Sequence, residues 1–148
     1  MRQIEVFRTH YGALPSYVDG HRHIHVLPGL RSALFAALNE FGAGWTPLVR
    51  SVEEAGTRIR RRGITPFKTM VISILSTGMR ARAVRNGFGT NEGFAGVTDF
   101  DENEDFGANM RAFLAISGQN PLIMVHPGLE NDAEIAALDA VVDTRPLE

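Results

Sequence analysis

An α/β domain with a parallel sheet is the fold this sequence predicts, on three observations. Helix-like and strand-like stretches alternate along the chain. Apolar residues in the helical stretches recur every three or four positions, as one buried face requires. Short β-branched or apolar runs are closed by Pro or Gly, as strands ending in loops are. A length of 148 residues suits one domain, and 44% hydrophobic with 22% charged residues is an ordinary globular balance.

The elements follow in order. Residues 1–12 read as a helix carrying Ile4, Phe7 and Tyr11 on one side and ending at Gly12. Residues 17–27 read as a strand with a break near Gly20. Pro28 opens a helix whose apolar face is Leu30, Leu34, Ala37, Leu38 and Phe41, ending at the Gly42–Gly44 pair. Residues 45–51 form a short second strand. Residues 66–85 are expected as one helix burying Phe67, Met70, Val71, Ile74 and Leu75, with Arg80, Arg82 and Arg85 near its carboxyl end. Residues 86–103 read as a Gly-rich loop with turns, and 104–117 as a helix. Residues 121–126 are a buried strand stopped by Pro127-Gly128, and 131–142 a last helix.

Composition excludes several classes. A net charge of -2 supplies no field to recruit nucleic acid, and the Arg58–Arg62 basic run is expected to be a solvated face. The absence of Cys removes disulfides, zinc-thiolate sites and thiol nucleophiles. No apolar run is long enough to cross a bilayer, and residues 1–5 hold no signal-peptide core, so a soluble cytoplasmic protein is expected. No Gly-x-Ser-x-Gly elbow is present, and Gly87-Phe88-Gly89 does not continue into a dinucleotide loop.

Chemistry concentrates in Asp19-Gly20-His21-Arg22-His23-Ile24-His25, where three of the five histidines lie within five residues. On an extended strand the three imidazoles would share one side. Imidazole nitrogens suit a divalent transition metal, with Asp19 as a further ligand or as an orienting partner. Residues spaced by two along a strand reach too far apart for all three to hold one ion, so further ligands are expected from elsewhere. His126 ends an apolar strand, the common way to present an acid or base at the carboxyl edge of a parallel sheet. Arg50 closes another short strand and could face the same edge, holding a carboxylate or developing negative charge.

These residues carry a resemblance. Pro15-Ser16-Tyr17-Val18-Asp19-Gly20-His21-Arg22-His23-Ile24-His25, followed by Pro28, resembles the signature of the YdjC-like carbohydrate deacetylases. Leu48-Val49-Arg50 resembles that family's next strand. Gly93-Phe94-Ala95-Gly96 and Met124-Val125-His126-Pro127-Gly128, followed by Asp132, resemble its hopanoid-biosynthesis-associated (HpnK-type) branch. The resemblance implies a distorted (β/α) barrel and metal-dependent hydrolysis of an N-acetyl group on a sugar or sugar-bearing lipid. It implies a metal ligand at His21, joined here by Asp19, with Zn or Mg as the ion. It implies an acid or charge stabiliser at His126 and a site arginine at Arg50. His23, His25 and Asp132 are the candidate substrate contacts.

One departure is plain: the family's consecutive Asp-Asp pair, which supplies the base and a ligand, occurs nowhere in this sequence. The chain therefore reads as the carboxyl-terminal part of such a barrel, a single α/β domain lacking the amino-terminal strands. Impaired hydrolysis is the expectation, and an inactive remnant or carbohydrate-binding module is the alternative. Open sheet edges predict self-association into a homo-oligomer.

Overall fold

The structure is a computed structural model and describes residues 2–42, 44–101 and 103–127. The expected helix over 131–142, and Asp132 with it, lie outside those residues. The described residues form six helices and four short strands, in the order α1 (Arg2–Tyr11), β1 (Tyr17–Val18), α2 (Pro28–Glu40), β2 (Leu48–Val49), α3 (Gly56–Arg62), α4 (Pro66–Leu75), α5 (Met79–Arg85), β3 (Gly93–Ala95), α6 (Phe106–Ala115) and β4 (Pro121–Ile123). A 3-10 segment, His21–Val26, stands between β1 and α2. Every strand pairing is parallel, as the α/β expectation requires.

β1 pairs with β2, Val18 opposite Val49, and β3 pairs with β4, Phe94 opposite Leu122. The two ribbons meet at a seam. Leu48 bridges Gly89 in parallel, and the Val49 N–H donates to the Gly89 carbonyl at 2.8 Å. Beyond that point a side chain replaces the ladder. The buried Asn91 amide oxygen accepts from the Ser51 N–H at 2.8 Å, and its Nδ2 donates to the Ser51 and Gly93 carbonyls, each at 2.8 Å. Buried main-chain groups need partners, and Asn carries both a donor and an acceptor to supply them.

Two apolar clusters flank the seam. Phe35, Leu38, Val49, Met79, Ala83 and Phe88 form one; Val26, Val52, Phe94 and Val97 form the other, under the carboxyl ends of the strands. The α2 helix starts at Pro28 as expected, but Phe35 and Leu38 are its buried residues while Leu30 is exposed.

Four expectations are corrected. Residues 17–27 are not one strand. The strand ends at Val18, and Arg22 and His23 take left-handed backbone angles (φ 52° and 61°) that wind the chain into the 3-10 segment. Residues 66–85 are two helices, separated at Gly78 in the left-handed conformation (φ 84°). A strand, β3, lies inside the stretch expected to be a loop. The basic run is not wholly solvated, because Arg62 is buried against Glu54.

The α4 helix also inverts its expected burial. Thr69 and Ser73 are buried, while Phe67, Val71, Ile74 and Leu75 face solvent. The cause is the run of main chain that follows each strand. Ser73 Oγ accepts from the Glu54 N–H at 2.9 Å and donates to the Glu54 carbonyl at 3.0 Å. Ser76 Oγ accepts from the Val52 N–H at 3.3 Å, Thr65 Oγ1 donates to the Val97 carbonyl at 2.9 Å, and Lys68 Nζ to the Thr98 carbonyl at 2.6 Å. Leaving a buried main-chain group unpaired costs about 1–3 kcal/mol, so pairing several such groups is of the same order as burying a few apolar side chains and can offset their exposure.

Glu54 anchors α3. Its carboxylate, with a side chain 0% exposed, pairs with Arg58 at 2.6 Å and with Arg62, whose side chain is 3% exposed. Arg62 reaches on to the Phe94 carbonyl at 2.9 Å and the Ile116 carbonyl at 2.8 Å, tying α3 to β3 and to the end of α6. Removing one partner of a buried ion cluster strands the others. Glu54→Ala is therefore expected to cost about 3–5 kcal/mol in urea denaturation, while Arg61→Ala at an exposed site stays within about 0.5 kcal/mol.

Candidate functional site

The polar residues singled out in the sequence stand just past the carboxyl ends of the strands. Asp19 follows β1, Arg50 follows β2, Gly96 follows β3, and Met124 and His126 follow β4. Parallel strands with consecutive crossovers place all these positions on one side of the sheet.

His25 holds that side together. It is 5% exposed, and both ring nitrogens are engaged by main chain. Nδ1 lies 3.1 Å from the Gly20 nitrogen and Nε2 2.9 Å from the Arg50 carbonyl oxygen. A backbone N–H only donates and a carbonyl only accepts, so Nδ1 is the acceptor and Nε2 carries the proton. Burial, ahead of other influences, pushes the His25 pKa down and keeps this neutral form. The ring thus spans from the β1 loop to the end of β2, and neither nitrogen is left for a ligand.

Gly20 allows the approach. Its φ of -118° suits any residue, but a Cβ there would sit 2.7 Å from His25 Cβ and Nδ1. Gly96 plays a similar part after β3: a Cβ would lie 2.0 Å from the Met124 carbonyl oxygen, so side-chain-free backbone lets the two chains touch.

Arg50, 3% exposed, is paired with Asp19. Nε and Nη2 donate to Asp19 Oδ1 at 2.6 and 2.5 Å, and the same oxygen accepts the Gly20 N–H at 2.6 Å. Nη2 also reaches the Gly20 carbonyl at 3.3 Å, Nη1 meets Met124 Sδ at 3.6 Å, and the guanidinium lies 5.5 Å from the Phe94 ring centroid. The sulfur is a weak acceptor, so Nη1 is the least strongly bonded nitrogen of the fork.

His23 sits at the strained turn. Its ring stands edge-on to Phe94, with centroids 5.7 Å apart, and its buried Nδ1 has no hydrogen-bond partner. Burial first, then the Arg50 charge, lower its pKa to about 4. His126 follows β4 two residues after Met124, whose Sδ meets Arg50 Nη1 at 3.6 Å. His126 itself packs edge-on against Phe100 at 5.1 Å. His21 is exposed at the start of the 3-10 segment.

The structure therefore gathers Asp19, His23, His25, Arg50 and His126, but not by the shared strand face expected for the histidines. The positive φ angles at Arg22 and His23 turn the side chains apart; such angles cost about 1–3 kcal/mol each and concentrate at functional sites. Among the described residues no group of three His, Asp or Glu converges as a metal ion requires. One Asp19 oxygen is taken by Arg50 and Gly20, and His25 has no free nitrogen, so these residues do not form a metal cage by themselves. Phe94, Met124 and Gly96 complete the site as its apolar floor and close contact. All three lie in runs that the sequence singles out, Gly93–Gly96 and Met124–Gly128, but neither run signals a part in the site for the apolar members.

Short parallel strands joined by helices, with polar side chains on the loops at their carboxyl ends, define an α/β protein. The chain belongs to the YdjC-like family, whose profile, described as YdjC-like protein, matches residues 1–147. It is similar to a human (Homo sapiens) protein named carbohydrate deacetylase, 42% identical over 52 residues, a match covering 34% of this chain and 16% of that protein. A mouse (Mus musculus) protein of the same name is 44% identical over 46 residues, covering 31% of this chain and 15% of its own length. The zebrafish (Danio rerio) counterpart is 39% identical over 44 residues, covering 30% and 14%. The matches thus span about a sixth of the curated relatives or less. No solved structure matches the chain.

Two outcomes follow from this geometry. Gly20→Ala forces His25 off its two main-chain partners, and overpacking of this kind lowers stability by about 1–3 kcal/mol in thermal or urea unfolding. His23, with a folded pKa of about 4 against 6.5 when unfolded, binds more protons in the unfolded chain between those values. Its contribution is intact above pH 6.5 and is lost as the pH falls through 4. Stability measured across that window should fall less steeply in His23→Gln, with the remaining slope carrying the share of His25.

Proposed function

We propose that the chain is part of a carbohydrate N-deacetylase, acting on an N-acetylated sugar or sugar-bearing lipid in the manner of the hopanoid-associated branch. The observation that carries this is the placing of the Asp19–Arg50 pair, of His23 against the same Phe94 ring as Arg50, and of Met124 and His126 after β4, all past the carboxyl ends of parallel strands. The names of the curated relatives support the substrate class. The sequential order β1, β2, β3, β4, all parallel and joined by helices, is the order of strands in a (β/α) barrel and supports a partial barrel in a single domain. The missing Asp-Asp pair is the ground for assigning the chain to the carboxyl-terminal part of such a barrel.

Amide hydrolysis adds water to the acetyl carbonyl, breaks the C–N bond and releases acetate and an amine that must gain a proton. Arg50, fixed by Asp19, holds positive potential where oxyanion charge develops and offers Nη1 to an oxygen. His23, kept neutral by burial and by Arg50, presents an uncharged ring to the substrate. His126 delivers the proton to the departing nitrogen, and the proton that the attacking water loses goes to a base from outside the described residues. A divalent ion, Zn or Mg, would polarise the carbonyl and acidify water. His21 would be one ligand, with the rest coming from outside the described residues. The same proposal takes the protein as cytoplasmic and self-associating, with the outer edges of β1 and β4 as the contacts.

A second reading, a carbohydrate-binding module without turnover, is favoured by the lack of a converged ligand set among the described residues. Acetate release from N-acetylglucosamine oligomers, with Zn or Mg added, separates the two. Turnover that falls about 100-fold in His126→Gln supports the enzyme. Oligomer binding without acetate release supports the module, and absence of both defeats each. Calorimetric metal binding that is lost in His21→Ala would support that ligand.

A further inference from the structure

The α4 helix turns its apolar side outward. Phe67 is 82% exposed and Ile74 63%, with Val71 and Leu75 completing a stripe at helical spacing. This is not an isolated exposed residue but a surface built from three elements. Ile24 and Leu27, both exposed, join Ile72 and Leu75 around a shallow apolar pocket of about 100 Å³ that His23 also lines. Arg31, early in α2, donates to the Thr77 carbonyl at 2.7 Å, which holds α2 against the carboxyl end of α4.

The rim of this surface is basic. Arg22 lines the pocket, Arg31 stands at the α2–α4 junction, and Lys68 rises from α4 beside Phe67, 3.5 Å from Asp99. An apolar stripe flanked by cations complements a bilayer with anionic headgroups: the apolar side chains enter the acyl boundary while Lys and Arg meet phosphates. A second copy fits less well. A two-fold contact through this face would set the same basic rim of each copy against the other. The opposite side of α4 is bonded to residues 52–54 and 97, which follow β2 and β3, while Lys68 reaches the Thr98 carbonyl from the flank, so the stripe lies on the same side of the sheet as His23 and Arg50.

We propose that the apolar face of α4, with Ile24 and Leu27, docks the chain on an anionic membrane surface and turns the candidate site toward it. The proposal needs no catalytic assignment, so vesicle binding and acetate release test separate statements.

Co-sedimentation of the full chain with vesicles provides the test. Binding to phosphatidylglycerol–phosphatidylcholine vesicles is expected to exceed binding to phosphatidylcholine alone by about tenfold or more, and to weaken as salt is raised. The double variant Phe67→Ser with Ile74→Ser removes only exposed apolar groups and should lose this binding while keeping the parent circular dichroism. In a Phe67→Trp chain, emission should shift to the blue on adding anionic vesicles, a readout that does not depend on loss of binding. Unchanged binding by the double variant would overturn the proposal, as would equal binding to both vesicle types or no blue shift at position 67. A dimer in solution that the double variant dissociates, without vesicle binding, would instead assign the face to a second copy.

Discussion

One imidazole ring carries the arrangement of the site. His25 takes a hydrogen bond from the Gly20 N–H and gives one to the Arg50 carbonyl, joining the loop after β1 to the end of β2 where no ladder runs. Everything chemical nearby follows from that bridge. It fixes the main chain of Gly20, whose N–H also meets Asp19, and the main chain of Arg50, whose side chain returns to Asp19. The carboxylate and guanidinium are thus brought together from both ends, by their own attraction and by the ring between their backbones. Burying a polar ring is unfavourable unless both nitrogens are satisfied, and here the two main-chain partners satisfy both.

The same economy recurs through the fold. The strands are only two or three residues long, too short for ladders to pair the chain that follows them. Side chains take over: Asn91 between the two ribbons, Ser73 and Ser76 beneath α4, Arg62 across α3, β3 and α6. Polar residues therefore occupy interior positions that a larger sheet would fill with aliphatic ones. Apolar residues of α4 are displaced to the outside as a direct result.

That displacement explains what the sequence allowed a reader to see. Helix positions were legible for α1, α2 and α6 because caps, Pro and apolar spacing agreed there. The side that α4 buries was not, since periodicity reports where apolar residues cluster and not which groups in the rest of the protein lack partners. Alternating histidines suggested a strand, whereas a left-handed turn at Arg22 and His23 follows from the space that Gly20 leaves for the His25 ring, a contact across sequence that no local pattern encodes. The grouping of Asp19, Arg50, His23 and His126 was legible in outline, because each closes or follows a short apolar run. Their division of labour was not, because it depends on which atoms the main chain has already claimed. Arg62 was misjudged for the same reason: a basic run gives no sign that one member has a buried carboxylate waiting at Glu54.

The Asn91 seam has a further bearing on the architecture. Asp19, His25 and Arg50 belong to the β1–β2 ribbon, while Phe94, Met124 and His126 belong to the β3–β4 ribbon. The gap between these two sets of groups is held by the Leu48–Gly89 bridge together with the Asn91 carboxamide. Hydrolysis of that amide to an acid would place an anion against the Ser51 and Gly93 carbonyls and prise the ribbons apart. Chemical ageing at a residue that touches none of the candidate reactive groups would thereby alter the spacing of them all.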